Sequence, residues 1–563
     1  VNSTRRANMN VITATQNYIQ RMIESVRGMK VLVLDHETMG IVSSVFSQNE
    51  VLAQEVYLFE LLDTPNREVM THLKCICFLR PTQENLFLLS DELKKPKYEQ
   101  YHLFYTNILQ ADYLEELAHA DEHEVVTQVQ EYYADYFPIN TDVFSLNIDT
   151  TVALSPSGIQ NTLDRTCDGL ASVLLSLKRR PLIRYEKSSE AAHRTAKELI
   201  RRMSTKEDRT LFNFGRKAGG VPVLLIIDRR SDPVTPLLTQ WTYQAMVHEL
   251  LGIRNNRVSV AGSEIVLSPL QDEFYKTNLY ANYGDLGEAV KRKAMEAFEQ
   301  GKRNQNIQSI EDMKNFLQNY PEFQKLSSNA SKHVNILTEL SSVVSKKHLY
   351  PVSEAEQELA ANSDHSFAVK TLTPLLSNPQ VGDAEKLKLL ALYSLRYEDN
   401  PSLGSLLNLA LQSSSLDKQE TVALIKALMA YGGGASRTGD LFGNKSWLAK
   451  GKTFIKRGLK EATNVYTQHK PMLAEHLSEL VKGKLSELDY PAIEGKIERN
   501  KPSDIIVFIV GGATYEEALT LREVKELPEF SNVRIVLGGS SILNSASFLK
   551  ELERLRDASM RRQ

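Results

Sequence analysis

Three cysteines in 563 residues are too few for a disulfide framework. Cys75 and Cys77 form C-x-C and Cys167 lies far away, which is no zinc spacing. Histidines are scattered without metal-ligand spacing, and neither G-x-S-x-G nor H-E-x-x-H occurs. No metal and no cofactor is therefore expected. No apolar run approaches the roughly 18–20 residues of a membrane span; the longest, such as Ile505 to Val510, are strand-sized. An excess of one charge is also missing. The 67 basic residues stand against 70 acidic ones, a net of −3, which argues against nonspecific nucleic-acid attraction. The N-terminal stretch lacks a secretory apolar region, so a reducing compartment, cytosol or nucleus, is expected. Val1 to Asn8 reads as a foreign remnant or an upstream extension, with a start expected at Met9.

What is present is ordinary globular composition, 42% hydrophobic and 24% charged. The length implies three or four domains at roughly 150 residues each. In the first 150 residues, short apolar runs alternate with helical patterns: Lys30–Asp35, Val56–Phe59, Leu73–Leu79, His102–Tyr105 and Val143–Leu146. That alternation predicts a doubly wound, mainly parallel sheet. Further on, helices are expected over Ile159–Leu177, Ala191–Met203 and Leu237–Leu251, around one strong strand, Val221–Asp228. One strand makes no sheet. The last 60 residues have the reciprocal problem, with two buried strands, Asp504–Val510 and Val533–Leu537. These fragments are expected to share one sheet. The chain between them carries apolar residues spaced three or four apart and reads as helical, with a flexible glycine loop from Gly432 to Gly443. The expected domains are 9–148, a discontinuous 149–251 plus 500–563, and a mostly helical insertion at 252–499.

An α/β scaffold invites an enzyme, and the common motifs fail. Gly451-Lys452-Thr453 resembles the end of a phosphate loop, but Ser446 stands where its first glycine belongs. Gly511-Gly512 and Gly538-Gly539 follow strands without completing G-x-G-x-x-G and read as tight turns. Asp35 and Asp228 end strands, yet the second Asp of an aspartyl phosphotransferase is replaced by Glu37 and Arg230.

One stretch is specific: Leu225-Ile226-Ile227-Asp228-Arg229-Arg230-Ser231-Asp232-Pro233-Val234-Thr235-Pro236, followed by Thr242-Tyr243-Gln244-Ala245-Met246-Val247-His248-Glu249. It resembles the signature of the SM proteins, the cytosolic partners of SNAREs in vesicle fusion. Ile509–Glu517, Leu537–Ser541 and Cys77–Thr82 resemble the same family. Gln240–Gln244 and the run from Lys30 through Ser44 look most like its vacuolar-protein-sorting branch, which serves the trans-Golgi network and endosomes. The resemblance implies an arch of three domains, the middle one discontinuous, and a binder without enzymatic activity. It implies a syntaxin-like Qa-SNARE, the assembled SNARE complex and an R-SNARE as partners. It also implies peripheral association with Golgi, endosomal or vacuolar membranes. The family has a basic residue five positions after Asp35; Gly40 stands there, which leaves that cleft contact unsupported.

Residue roles follow as expectations. The signature residues Asp228, Arg229, Asp232, Thr235, Pro236 and Glu249 are read as structural: Asp228 accepting from backbone amides or arginines, Thr235 capping a helix that begins near Pro236. The family's SNARE N-peptide pocket matches Leu109 to Tyr136. There Leu114 and Leu117 are expected on one helix and Val126 and Val129 on the next, forming a groove, with Glu131 facing a basic peptide residue. The same four apolar residues would equally serve a core. Leu117→Arg is expected to weaken peptide binding with the fold intact. Met313, Leu317 and Pro321 match the family's SNARE-templating hairpin. Pro321 is expected to stop its helix, and Pro321→Ala to favour an extended form and SNARE assembly. Lys450, Lys452, Lys456 and Arg457 form a basic amphipathic segment suited to anionic lipid or an acidic partner, or simply to solvent. The competing readings are a nucleotide-dependent enzyme and a tethering or coat scaffold.

Overall fold

The computed structural model describes residues 9–148, 156–205, 208–214, 220–305, 310–437, 441–442, 466 and 468–560. The chain forms two compact units. Val1–Arg229, His476–Ala513 and Leu521–Ile542 make the first; Arg230–Glu475, Thr514–Thr520 and Leu543–Gln563 make the second.

The first unit holds two sheets. Strands β1 (Lys30–Leu34), β2 (Val56–Leu61), β3 (Met70–Leu79), β4 (Tyr98–Tyr105) and β5 (Val126–Glu131) form a parallel sheet in the order β2-β1-β3-β4-β5. Successive residues of a strand point to opposite faces, so a strand covered on both sides reads as continuously apolar. In β1, Val31 and Val33 join one core cluster and Leu32 and Leu34 the other. Helices α1 (Val11–Ser25) and α2 (His36–Val45) supply the second cluster. Helices α3 (Gln83–Leu93) and α4 (Ala111–Ala120) supply the first.

The second sheet combines β6 (Phe137–Asn140), β7 (Val143–Ser145), β8 (Leu182–Tyr185), β9 (Val223–Asp228), β10 (Asp504–Val510) and β11 (Arg534–Gly539). Its order is β6-β7-β11-β10-β9-β8, parallel except between β6 and β7. The register sets Ile505 beside Val223 and Val510 beside Asp228. The strands short of partners in the sequence therefore do share one sheet. Helices α5 (Pro156–Leu177) and α6 (Glu190–Ser204) pack Leu170, Leu174, Ala196 and Leu199 with Leu224, Ile226, Ile506 and Phe508.

Three expectations need correction here. Val143–Ser145 leaves the first sheet and pairs with β11 through Leu537. Strands β6 and β8 add to those expected from the sequence: β6 contains Pro138, and β8 is only Leu182–Tyr185 with Arg184 inside it. Val126–Glu131, expected as helix, is an edge strand. Helix α4 ends at Ala120; Asp121 then accepts both the Val125 and Val126 amides and starts the strand.

The second unit is mostly helical: α7 (Tyr243–Leu250), α8 (Tyr283–Gln305), α9 (Ile310–Lys346), α10 (Leu349–Ala361), α11 (His365–Ser377), α12 (Asp383–Arg396), α13 (Ser402–Gln412) and α14 (Lys418–Gly432). An antiparallel hairpin, Arg257–Val260 with Ser263–Val266, was not foreseen. The expected helix from Leu237 is a 3-10 turn, Thr235–Leu237, and the α-helix starts only at Tyr243. Gly432 to Gly434 are held rather than loose. A Cβ on Gly432 would sit 2.8 Å from Pro233 Cγ, and the Gly434 amide donates to Glu398 at 2.8 Å.

Candidate functional site

The outer edge of the first sheet is built by β5 and by α4, the crossover helix from β4 to β5. Tyr101 pairs with Val126 and His102 with Gln128, so Thr127 is an inserted residue. The insertion turns Val126 and Val129 to the same face, the one that carries Tyr101 and Leu103 of the core that α4 covers. Leu117 is 3% exposed and belongs to that core, whereas Leu114 is 42% and Val129 38% exposed. Val126 is partly buried. Glu131 accepts the Leu109 amide at 2.8 Å and the Tyr133 hydroxyl at 2.9 Å. Of the five residues expected in a pocket, Leu114 and Val129 therefore face outward. Leu117 is core rather than pocket lining, so an arginine there is expected to disturb the fold as well as any peptide site. Glu131 is engaged in closing the α4 and β5 connections.

In an open parallel sheet a ligand crevice is expected outside the carboxyl ends of β1 and β3, where the strand order reverses. Here the chain fills it. Asp35 ends β1 and accepts the Thr38 amide at 2.7 Å, capping α2 with its own carboxylate. Its other oxygen accepts the Arg80 amide at 2.7 Å and the Asn85 side chain at 2.8 Å. The anion position at that helix start is thus occupied by a side chain. Arg80 passes the charge on, donating Nε to Asp135 at 2.7 Å, and Arg165 reaches the same carboxylate at 3.4 Å. Burial pushes Asp135 up, but Arg165 and Arg80 outweigh it and hold the carboxyl below its ordinary range.

The glycine turns have a similar internal logic. Gly511 and Gly512 adopt φ of 90° and 103°, which a side chain disfavours. The helix that follows is closed by Thr514 and Glu517. The Thr514 amide donates to Glu517 at 2.9 Å and the Glu517 amide to the Thr514 hydroxyl at 3.2 Å. Among the described residues no group of His, Cys, Asp and Glu is placed to hold a metal, and no helix is long and apolar enough to cross a membrane.

The signature residues point inward. Asp228 accepts the Ser189 hydroxyl at 2.5 Å, and its amide donates to Glu186 at 2.9 Å. Arg229 is buried in the same unit. Thr235 is the first residue of the 3-10 turn rather than its cap, and Asp232 holds it. Asp232 accepts the Thr235 amide at 3.0 Å and the Thr235 hydroxyl at 2.6 Å, and the hydroxyl also meets His469 at 3.0 Å. Pro236 follows inside the 3-10 turn. Glu249 accepts the Ser545 amide at 2.9 Å and faces Lys388 at 3.7 Å. Lys388 is buried and its pKa is raised; burial opposes this, but Glu356 and Glu249 outweigh it.

Helices α8 and α9 follow one another in the chain and pack together. Pro321 does not end a helix: α9 runs unbroken from Ile310 to Lys346. A proline lacks the amide hydrogen, so one hydrogen bond is missing from this ladder while the helical path continues. Met313 and Leu317 lie on the same helix, and their side chains are outside the described residues. On α8, Met295 is 59% and Phe298 62% exposed. In the sequence their three-residue spacing is indistinguishable from an ordinary amphipathic helix. Lys450, Lys452, Lys456 and Arg457 lie outside the described residues.

The chain thus joins in sequence a doubly wound α/β unit with self-capped strand ends and a helical unit with two long paired helices. The match to the Sec1 family spans residues 30–551, and the chain belongs to that family. Among curated relatives, it is similar to "Vacuolar protein sorting-associated protein 45" of Homo sapiens. The two are 48% identical over 556 residues, covering 97% of this chain and 96% of that protein. The Dictyostelium discoideum protein of the same name is 45% identical, with coverage of 97% and 96%. A solved structure described as "SM Protein Vps45 in Complex with Qa SNARE Tlg2" superposes with a TM-score of 0.89 at 44% identity, covering 98% of each chain. Sly1p solved with an N-terminal peptide of Sed5p shares the fold at a TM-score of 0.75 and 20% identity, covering 98% of this chain and 99% of that one.

Proposed function

We propose that this chain is an SM-type binding protein that holds a syntaxin-like Qa-SNARE and promotes SNARE assembly during vesicle docking and fusion. Its place of action is the trans-Golgi network and endosomes, where it associates peripherally with the membrane through its SNARE. The observation that carries this reading is the near full-length likeness to Vps45 solved with the Qa SNARE Tlg2. The self-filled crevice of the first sheet supports binding rather than turnover of a small molecule, because its polar groups already have partners.

The outer edge of the first sheet is the proposed docking place for an N-terminal SNARE peptide. Leu114 and Val129 present apolar surface there, and β5 is an edge strand whose second side lies outside the sheet. An extended peptide with one large apolar anchor fits such an edge. The second proposed surface is the α8–α9 hairpin, where Met295 and Phe298 offer an apolar pair to a SNARE helix. Calorimetry with the cytosolic fragment of a Qa-SNARE, with and without its N-terminal peptide, tests both parts. Binding that depends on the peptide and is lost with Leu114→Arg supports the reading; no binding by any syntaxin-type fragment contradicts it.

A further inference from the structure

Helix α9 buries one seam along its C-terminal half: Ala330, His333, Ile336, Leu340 and Val344. Four of the five are apolar. His333 is 1% exposed and is the polar member. Its Nε2 meets Asp272 Oδ2 at 2.9 Å and its Nδ1 meets the Tyr243 hydroxyl at 2.7 Å. A carboxylate only accepts, so Nε2 donates, and Nδ1 is left to accept the Tyr243 proton. Asp272 in turn caps the short helix Glu273–Asn278 through the Tyr275 amide at 2.9 Å and pairs with Lys332. The ring packs on Phe274 at 4.5 Å, and Lys293 of α8 lies over Phe274 at 5.4 Å. Helices α7 and α9 and the Asp272 loop therefore converge on one imidazole, and α8 reaches the Phe274 ring that packs on it.

We propose that Asp272, His333 and Tyr243 form a register pin that locks the C-terminal half of α9 and confines any rearrangement of the hairpin to residues before Ala330. An apolar seam tolerates sliding, because leucine replaces isoleucine at small cost. A buried imidazole bonded at both nitrogens does not. Ala330, Ile336 and Leu337, one turn away along the helix, carry no group that bonds either partner; Asn329 is the one alternative, with a shorter side chain. A one-turn slip thus leaves a buried phenol and a buried carboxylate short of their partner, which buried polar groups rarely tolerate. This is the register-setting role best attested for a lone polar residue in an apolar helix seam.

Hydrogen exchange on the intact free chain tests the pin without any SNARE. In Asp272→Asn and His333→Leu, amides of 333–346 are expected to exchange at least tenfold faster, while β3, β4 and α12 stay within twofold. Tyr243→Phe removes one hydroxyl and is expected to give a smaller rise in the same place; with Asp272→Asn it carries the test if His333→Leu does not fold. Unchanged protection at 333–346 in these variants overturns the proposal. So does an equal rise throughout the helical unit, which would mean a general loss of stability.

Discussion

Val126 and Val129 stand three residues apart on an extended strand and still face the same side of the sheet, because Thr127 is inserted between their partners. The insertion leaves Val129 at the surface beside a core that contains Leu117. Two substitutions of the same kind should then behave differently. Leu117→Arg buries a charge and is expected to cost several kcal/mol, which leaves little or no folded protein. Leu114→Arg and Val129→Arg are expected to change stability by within about 0.5 kcal/mol. Thermal melting of the three variants side by side checks this.

Thr235 is fully buried, and its hydroxyl serves Asp232 and His469 at once. Thr235→Val keeps the shape and removes both bonds. The expected cost is about 1–3 kcal/mol, read as a lower denaturant midpoint with an unchanged slope. Binding of a SNARE peptide at the β5 edge should be unaltered in the folded fraction.

Asp135 links Arg80, the residue after β3, to Arg165 of α5. Its carboxyl is held below the ordinary range, mainly by Arg165 and Arg80 against burial. A depressed folded value adds stability above the unfolded value near 3.9, and that stability is lost as pH falls through the folded value. Asp135→Asn is therefore expected to cost roughly 3–5 kcal/mol near neutral pH. The gap to wild type should narrow on acidification below about pH 4. Urea unfolding of both proteins across that range measures it; a gap independent of pH would assign the cost to packing.

Gly538 is required by a ring. A Cβ at this position would lie 2.0 Å from Phe144 Cζ, on the strand that pairs beside it. Gly538→Ala is expected to destabilise by about 1–3 kcal/mol through overpacking. Phe144→Leu in the same chain should recover part of that loss, and a double-mutant cycle quantifies the coupling.

Pro321 lies inside α9 rather than at its end. Pro321→Ala restores one ladder hydrogen bond and removes a penalty of up to about 3 kcal/mol in the helix interior. Slower amide exchange around residues 317–325 is the expected result. The free protein should show it without any partner.

The sheets were legible because buried parallel strands leave runs such as Val31–Leu34 and Ile505–Ile509 that few other structures produce. The shared second sheet followed from an excess of strands without partners, which is an argument about stability rather than pattern. Strands β6 and β8 were hidden by Pro138 and Arg184. Arg184 is buried by reaching the carbonyls of Leu485 and Ser486 at 3.0 Å, some 300 residues away, and no local reading contains that distance. The edge strand Val126–Glu131 was mistaken for helix because two valines three apart satisfy a helical stripe and also a bulged strand. The signature was read as structural from its prolines and acids. That Thr235 starts the turn instead of capping it depends on a geometry that the order of residues leaves open.

The most direct test of the account is the affinity of the intact chain for the cytosolic fragment of a Qa-SNARE, compared with Leu114→Arg and Val129→Arg by calorimetry. The account predicts binding by the wild type, a loss of at least tenfold in each variant, and the same weakening when the SNARE lacks its N-terminal peptide. Equal affinity in all four cases would contradict the assigned edge. Absence of binding by the wild-type chain to every syntaxin-type fragment would contradict the function itself.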